Sequence, residues 1–364
     1  MTASIAAAPP RTELVSIQYL RAVAALGVVV WHAQGQVGLP NTQVLQAGIE
    51  IFFVISGYVM WLILGQRPVS PMVFLQKRFT RVVPLYWLLT TLMVGLLIVS
   101  PQLLQSTRFD LPHIVSSYLF VAWPNPVEGV GLKPVMIPGW TLNYEMAFYV
   151  LLAVGLAMKS TWRAGFVVGV LLLLAAASVL PLPPIAHFYA SPFMAEIAFG
   201  VMLAMVMPRI PRAWLNHGGW VFGLGLALLI LGGAVIDANA SGRLILFALP
   251  VVLIVAGLVA VEQTGRLPSI VALKAVGDAS YPLYMIHPVL LSAMAQAIRL
   301  TGIDISPWLY VAGSIVVTSV VGWFAHVTLE RPLIAAFKPR PRKPRAALPT
   351  TSPALATVVD DVRP

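Results

Sequence analysis

Residues 47–65 read AGIEIFFVISGYVMWLILG, nineteen residues with Glu50 as their one charge. As a helix rising about 1.5 Å per residue the stretch is ~28 Å long, close to the ~30 Å hydrocarbon thickness of a bilayer. It is continuously apolar rather than alternating, which excludes a barrel strand. Nine further runs share this character, at 14–33, 82–100, 142–158, 163–181, 191–207, 219–236, 243–261, 281–298 and 307–329. The expected fold class is therefore all-α, a polytopic integral membrane bundle of about ten transmembrane helices. No repeat at a fixed period is visible.

Composition agrees. Hydrophobic residues make up 59% of the 364 positions and charged residues 10%, and mean hydropathy is +0.87. Soluble domains carry about 25% charged residues. So little charge excludes a secreted enzyme, a nucleic-acid-binding module and a disordered regulator. There are no cysteines, which excludes disulfides, thiolate metal sites and a cysteine nucleophile. The run from Leu14 to Trp31 is too long for the core of a cleavable signal, carries Arg21, and is followed by no small-residue cleavage site.

The net charge of +10 follows membrane topology. With the N-terminus in the cytoplasm, 19 of the 23 Lys and Arg residues fall on the inner side, and four (Arg108, Lys133, Arg243 and Arg299) fall outside. That asymmetry supports an even helix count with both termini inside. The expected organisation is a cytoplasmic segment at 1–13, a membrane domain at 14–336, and a basic Pro-rich disordered cytoplasmic tail at 337–364. The tail contains KPRPRKPRAALPTTSP and reads as an anchor near anionic lipid. In the long outer loop, 101–141, the apolar piece from Ile114 to Trp123 reads as a re-entrant or surface helix.

Charge at membrane depth is costly and marks function. Arg21 and His32 are eleven residues apart in the first run, which places them on one helical stripe about 16 Å apart. Snorkelling explains an isolated Arg21, and an interfacial hydrogen bond explains an isolated His32. Their shared stripe favours a joint role. Glu50 enters the second run at its outer end, near the expected level of His32, with Ser56 following. Gly57 lies on nearly the same face as Glu50, where it permits close helix packing. Arg78 and Arg81, in an inner loop reading KRFTRVVPLYW, suit phosphate because guanidinium offers planar, paired donors. Pro84 reads as the start of the third helix.

At the outer start of the fourth run, GWTLNYEMAFYV crowds Trp140, Asn143 and Glu145 into a first turn, a grouping that suits sugar binding. At the inner start of the ninth, SYPLYMIHPVL places Tyr284 and His287 on one face, and Pro288 frees a backbone carbonyl one turn back. The tenth run closes with His326, Glu330, Arg331 and Pro332, which reads as a helix stop. His113, His187 and His217 read as loop residues without ligand-like spacing, and no metal site is expected.

These groups form an inner set (Arg21, Arg78, Arg81, Tyr284, His287) and an outer set (His32, Glu50, Asn143, Glu145). Arginines at the inner face suit a phosphate-bearing donor such as coenzyme A. A histidine with carboxylates suits general base catalysis on a hydroxyl. A transporter or flippase for a polar metabolite or lipid-linked saccharide uses the same residue types, as does a non-catalytic assembly subunit, and composition does not separate the three.

The ordered set LRAVAALGVVVWHA, GIEIFFVISGYVM, KRFTRVVPLYW, GWTLNYEMAFYV, SYPLYMIHP and LERP resembles the acyltransferase-3 family of membrane O-acyltransferases over residues 14 to 335. It is most similar to the exopolysaccharide-production, succinoglycan O-acetyltransferase-like branch. The resemblance implies a ten-helix protein of the bacterial inner membrane that moves an acyl group, usually acetyl, from cytoplasmic acyl-CoA to a hydroxyl of an envelope or exported saccharide. Acetyl-CoA is then a co-substrate and no cofactor is bound. The family's motifs fall on Arg21 and His32, on Arg78 and Arg81, on Glu50, on Glu145 after Trp140, and on Tyr284 with His287. Taken with the shared stripe and the inner and outer sets, they lead us to expect His32, Arg21 and Glu145 as catalytic, Arg78, Arg81, Tyr284 and His287 as donor-binding, and Glu50, Trp140 and Asn143 as acceptor-binding. A covalent acetyl-His32 intermediate is the rival to a general base, and Glu145 or Glu50 either tunes His32 or binds the sugar. The expected partners are the bilayer, acyl-CoA and a lipid-linked or nascent saccharide, with polysaccharide-assembly proteins or a second copy of the chain as protein partners and no nucleic acid.

Overall fold

The computed structural model describes residues 14–66, 68–104, 106–235 and 240–337. The segment at 1–13 and all of the expected tail except Phe337 lie outside the described residues. Ten helices are long and apolar enough to cross a membrane, and the described residues contain no β-strand. Their helical cores are α1 Val15–Gln36, α2 Gly48–Gln66, α3 Pro71–Val99, α4 Trp140–Ala157, α5 Ser160–Ala176, α6 Pro192–Val206, α7 Gly218–Val235, α8 Leu249–Gln263, α9 Ser280–Thr301 and α10 Pro307–Ala325. The face where α1 begins is termed proximal and the opposite face distal.

α1 is central, touching α2, α8, α9 and α10. Its first residues lack a local side-chain cap. Glu262, at the end of α8, supplies one in trans: Val15 N donates to Oε1 at 2.7 Å and Ser16 N to Oε2 at 3.0 Å. A carboxylate at a helix N-terminus satisfies orphan N–H groups and complements the dipole. α2 and α6 approach through glycine. A Cβ on Gly57 would lie 2.1 Å from Ile197 O, and one on Gly200 would lie 2.0 Å from Val54 O. The expected packing role of Gly57 is what the structure contains.

Four expectations are corrected. The third helix does not start at residue 82. Ser70 caps it, its side chain accepting from Val73 N, and Pro71 occupies the first turn, where a missing N–H costs nothing. Pro84 is interior to the helix, and Arg78 and Arg81 are helical neighbours rather than loop residues. Second, the tenth helix does not stop at Glu330. A π-turn over His326–Glu330 leads into a further helix, Arg331–Phe337, because the wider turn tolerates the N–H missing at Pro332. Third, His113 and His187, read as loop residues, lie in short helices, Leu111–Tyr118 and Pro184–Tyr189. The former is capped by Asp110, whose carboxylate accepts from His113 N at 2.7 Å. It begins before the predicted apolar piece and ends short of Trp123.

The fourth correction is one of depth, and it rearranges the site. A short helix, Val271–Asp278, precedes α9. Its Gly277 sits so close to α1 that a Cβ there would be 2.0 Å from Gln18 O. α9 therefore starts inside the bundle: Arg21 Nε donates to Ser280 Oγ at 3.1 Å, which puts the first residue of α9 level with the second turn of α1.

Candidate active site

A cavity of about 430 Å³ lies among α1, α2, α3, α4 and α9. That volume is in the range of small-molecule sites. Three arginines line it: Arg21 from α1, and Arg78 and Arg81 from α3. Glu145 and Tyr149 of α4 face them, and the Tyr149 hydroxyl donates to Glu145 Oε1. Arg81 is held by Glu330 at 2.8 Å, and Glu330 in turn is bound by His326 Nδ1 at 2.5 Å. Arg331 Nε donates to His326 Nε2 at 3.1 Å, so His326 carries its ring proton on Nδ1.

Arg78 is different. Its contacts are the Met60 sulfur, 3.5 Å from Nη1, and the Phe74 ring, 6.0 Å from its guanidinium carbon. Its buried Nε has no hydrogen-bond partner. Among the described residues no carboxylate pairs with it, so it presents unneutralised positive charge to the cavity. Such a charge in a low-dielectric wall calls for an anion.

Phe52 and Tyr284, with ring centroids 5.5 Å apart, stand at the other end of the cavity. Behind Tyr284, at 5.6 Å, lies the ring of His287, and the ring of His32 is 5.0 Å from that of His287. The pairing follows from helix arithmetic. His287 is seven residues beyond Ser280, and Val28 is seven beyond Arg21, about 10 Å along each axis. Helical side chains lean toward the N-terminus, and His32 folds back so that its Nδ1 reaches Val28 O at 2.9 Å. His287 is therefore not with the arginines, as expected, but two turns deeper beside His32.

The tautomers of both rings follow. A carbonyl oxygen only accepts, so His32 Nδ1 carries hydrogen. His287 Nδ1 donates to Tyr284 O at 2.7 Å. That carbonyl is free because Pro288, which should serve it, has no N–H. Each imidazole thus keeps Nε2 as its basic nitrogen. His287 Nε2 is buried without a partner, and His287 is 1% exposed, whereas His32 is only partly buried.

The remaining predicted residues fall elsewhere. Glu145 is not with His32 but lines the cavity opposite the arginines. Glu50 does not join His32. It shares a face with Gly57, and that face packs on α6; there Glu50 meets Arg243 (the last residue of a short helix, Ala240–Arg243, ahead of α8), whose Nε donates to Oε1 at 3.0 Å. Glu196 of α6 is buried nearby and feels the same charges. Trp140 packs on Phe193 at 5.5 Å and Phe53 at 6.5 Å. Asn143 is buried with both amide atoms unpartnered. Tyr149 and Glu330 were missed as site residues, although the spacing of Glu145 to Tyr149 and of His326 to Glu330, four residues each, would have placed each pair on one face.

Comparison with known proteins decides the chemistry. A family model described as an acyltransferase domain matches residues 14–327. This chain belongs to the acyltransferase-3 family. The acyltransferase is 31% identical over 311 residues to the exopolysaccharide production protein ExoZ of Rhizobium meliloti, covering 84% of this chain and 94% of that one. It is 29% identical over 186 residues to protein 2 in the picA locus of Rhizobium radiobacter (46% of this chain, 97% of that one). It is 23% identical over 329 residues to the peptidoglycan O-acetyltransferase OatA of Listeria monocytogenes (80% of this chain, 51% of that one). No solved structure matches. The protein is thus a multi-pass membrane O-acyltransferase, and the transporter and assembly-subunit readings fall away.

The Pro288–Tyr284–His287 arrangement yields a prediction for the acyltransferase. Pro288→Ala restores an N–H to Tyr284 O and releases the His287 ring. Losing one hydrogen bond of about 1 kcal/mol lowers the transfer rate by roughly fivefold, while the unfolding temperature stays level or rises. Rate and melting measurements on the same preparation check it; an unchanged rate means the ring needs no such anchor.

Proposed function

We propose that this acyltransferase moves an acetyl group from cytoplasmic acetyl-CoA to a sugar hydroxyl of an exopolysaccharide or related envelope saccharide, from the bacterial inner membrane with both termini cytoplasmic. The observation that carries this reading is the cavity lined by three arginines and by Tyr284, with the His287–His32 pair stacked behind the Tyr284 ring. The names of ExoZ and OatA support a saccharide acceptor, and the inner-side excess of Lys and Arg supports the orientation.

In this reading Arg78 and Arg81 bind the phosphates of the donor, Arg78 because it has no carboxylate of its own and Arg81 because Glu330 orients it. Arg21 reaches the diphosphate end from α1. The pantetheine arm runs past Glu145 and Thr141 toward Tyr284. His32 Nε2 takes the proton of the acceptor hydroxyl, and the oxygen attacks the thioester carbon. The C–O bond forms, the C–S bond breaks, and the proton ends on the CoA sulfur. Trp140 and Asn143 belong to the acceptor side. Glu50, bound to Arg243, supports that side by holding α2 in place rather than by touching His32.

The test is transfer of labelled acetyl from acetyl-CoA into saccharide, in inside-out membrane vesicles supplied with the native lipid-linked acceptor. CoA-dependent label in saccharide is expected. Absence of label, with the protein expressed and acceptor present, would reject the donor.

A further inference from the structure

The two histidines are placed in order. His32 is the more open ring, and His287 is closed off between it and Tyr284, which lines the donor cavity. Both Nδ1 atoms are committed to backbone carbonyls, at 2.9 Å for His32 and 2.7 Å for His287. Neither ring can therefore move a proton through Nδ1 without breaking its anchor, and all proton traffic runs through Nε2. The His287 Nε2 is buried with no partner, a cost that native structures retain where the atom has work to do. Trp31 packs edge-on against His32, centroids 4.8 Å apart.

We propose that His287 is the second catalytic group, the acid that protonates the departing CoA thiolate, and that the pair works as a relay. This rests on the acetyl-CoA reading given above. The acceptor proton passes from the hydroxyl to His32 Nε2 as the oxygen bonds to the thioester carbon. It then passes to His287 Nε2, and from there to the CoA sulfur as the C–S bond breaks. Both imidazoles end neutral, as they began, and no other co-reactant is needed. General acid assistance to a leaving group is commonly worth 10²–10⁴ in rate.

The test separates a relay from a structural anchor. His287→Asn keeps an amide N–H where Nδ1 stood, able to donate to Tyr284 O, but offers no titrating nitrogen. His287→Ala removes both. With purified protein, acetyl-CoA and acceptor, we expect both variants to lose about 100-fold or more in kcat, with KM for acetyl-CoA within threefold of wild type. Asparagine activity within threefold of wild type would overturn the proposal, since an anchor alone would then suffice. A loss confined to KM would overturn it too, making His287 a donor-binding residue. Wild-type protein with no acetyl-CoA-dependent transfer would instead reject the underlying reading, a failure distinct from these.

Discussion

His32→Ala is expected to lower kcat for acetyl transfer by about 10³-fold, in the range of a lost general base, while the protein remains folded and inserted. The ring's hydrogen bond is to Val28 O within its own helix, and the ring is only partly buried, so truncation breaks no hydrogen bond between helices and loses only the ring contact with His287. The basic Nε2 has no substitute on the acceptor side, because His287 lies behind it and Glu50 is bound to Arg243. Steady-state transfer on detergent-purified protein, with elution profile as the folding control, measures the effect. Activity within tenfold of wild type would remove His32 from the chemistry.

Gly57→Leu is expected to abolish recovery of folded protein, and Gly57→Ala to reduce it severalfold. The contact is with main chain: a Cβ at 57 would be 2.1 Å from Ile197 O and 3.0 Å from Val201 N. A flexible side chain could swing away, but a helix backbone moves only by separating α2 from α6 along their length. Ordinary overpacking of a core costs about 1–3 kcal/mol, and separating two helices forfeits more, against a total stability of about 5–15 kcal/mol. In the membrane this packing has no hydrophobic driving force to replace it. Gly95→Ala is the control, since nothing lies within 4 Å of its added Cβ. Size-exclusion recovery after solubilisation reads the result; normal recovery of Gly57→Leu would mean that the two helices are not locked there.

Helix number, class and the Arg21–His32 stripe were legible because apolar run length and the 3.6-residue period are local properties. That Arg78 and Arg81 belong together was legible from their spacing, and both line the cavity; the start of their helix was not, because Ser70 and Pro71 lie well before the apolar run. Depth was not legible. The entry of α9 depends on Gly277 meeting the α1 backbone, a tertiary contact that no window of sequence contains, and it moved His287 from the arginines to His32. The direction of Glu50 was concealed in a related way. Its face was correctly paired with that of Gly57, but the partner it meets there, Arg243, lies 193 residues on in the chain. Glu330 was read as a terminus because Pro332 ordinarily ends a helix. The π-turn let the chain continue and aimed a carboxylate at Arg81.

In the proposed mechanism the arginines hold the donor and the histidine pair performs the transfer. Equilibrium binding of acetyl-CoA to purified wild-type, Arg78→Ala and His32→Ala proteins, with transfer measured on the same samples, tests it most directly. Arg78→Ala is expected to weaken binding at least tenfold, whereas His32→Ala is expected to bind acetyl-CoA as the wild type does and to transfer almost nothing. Equal binding by Arg78→Ala, or binding lost in His32→Ala, would contradict that division of labour.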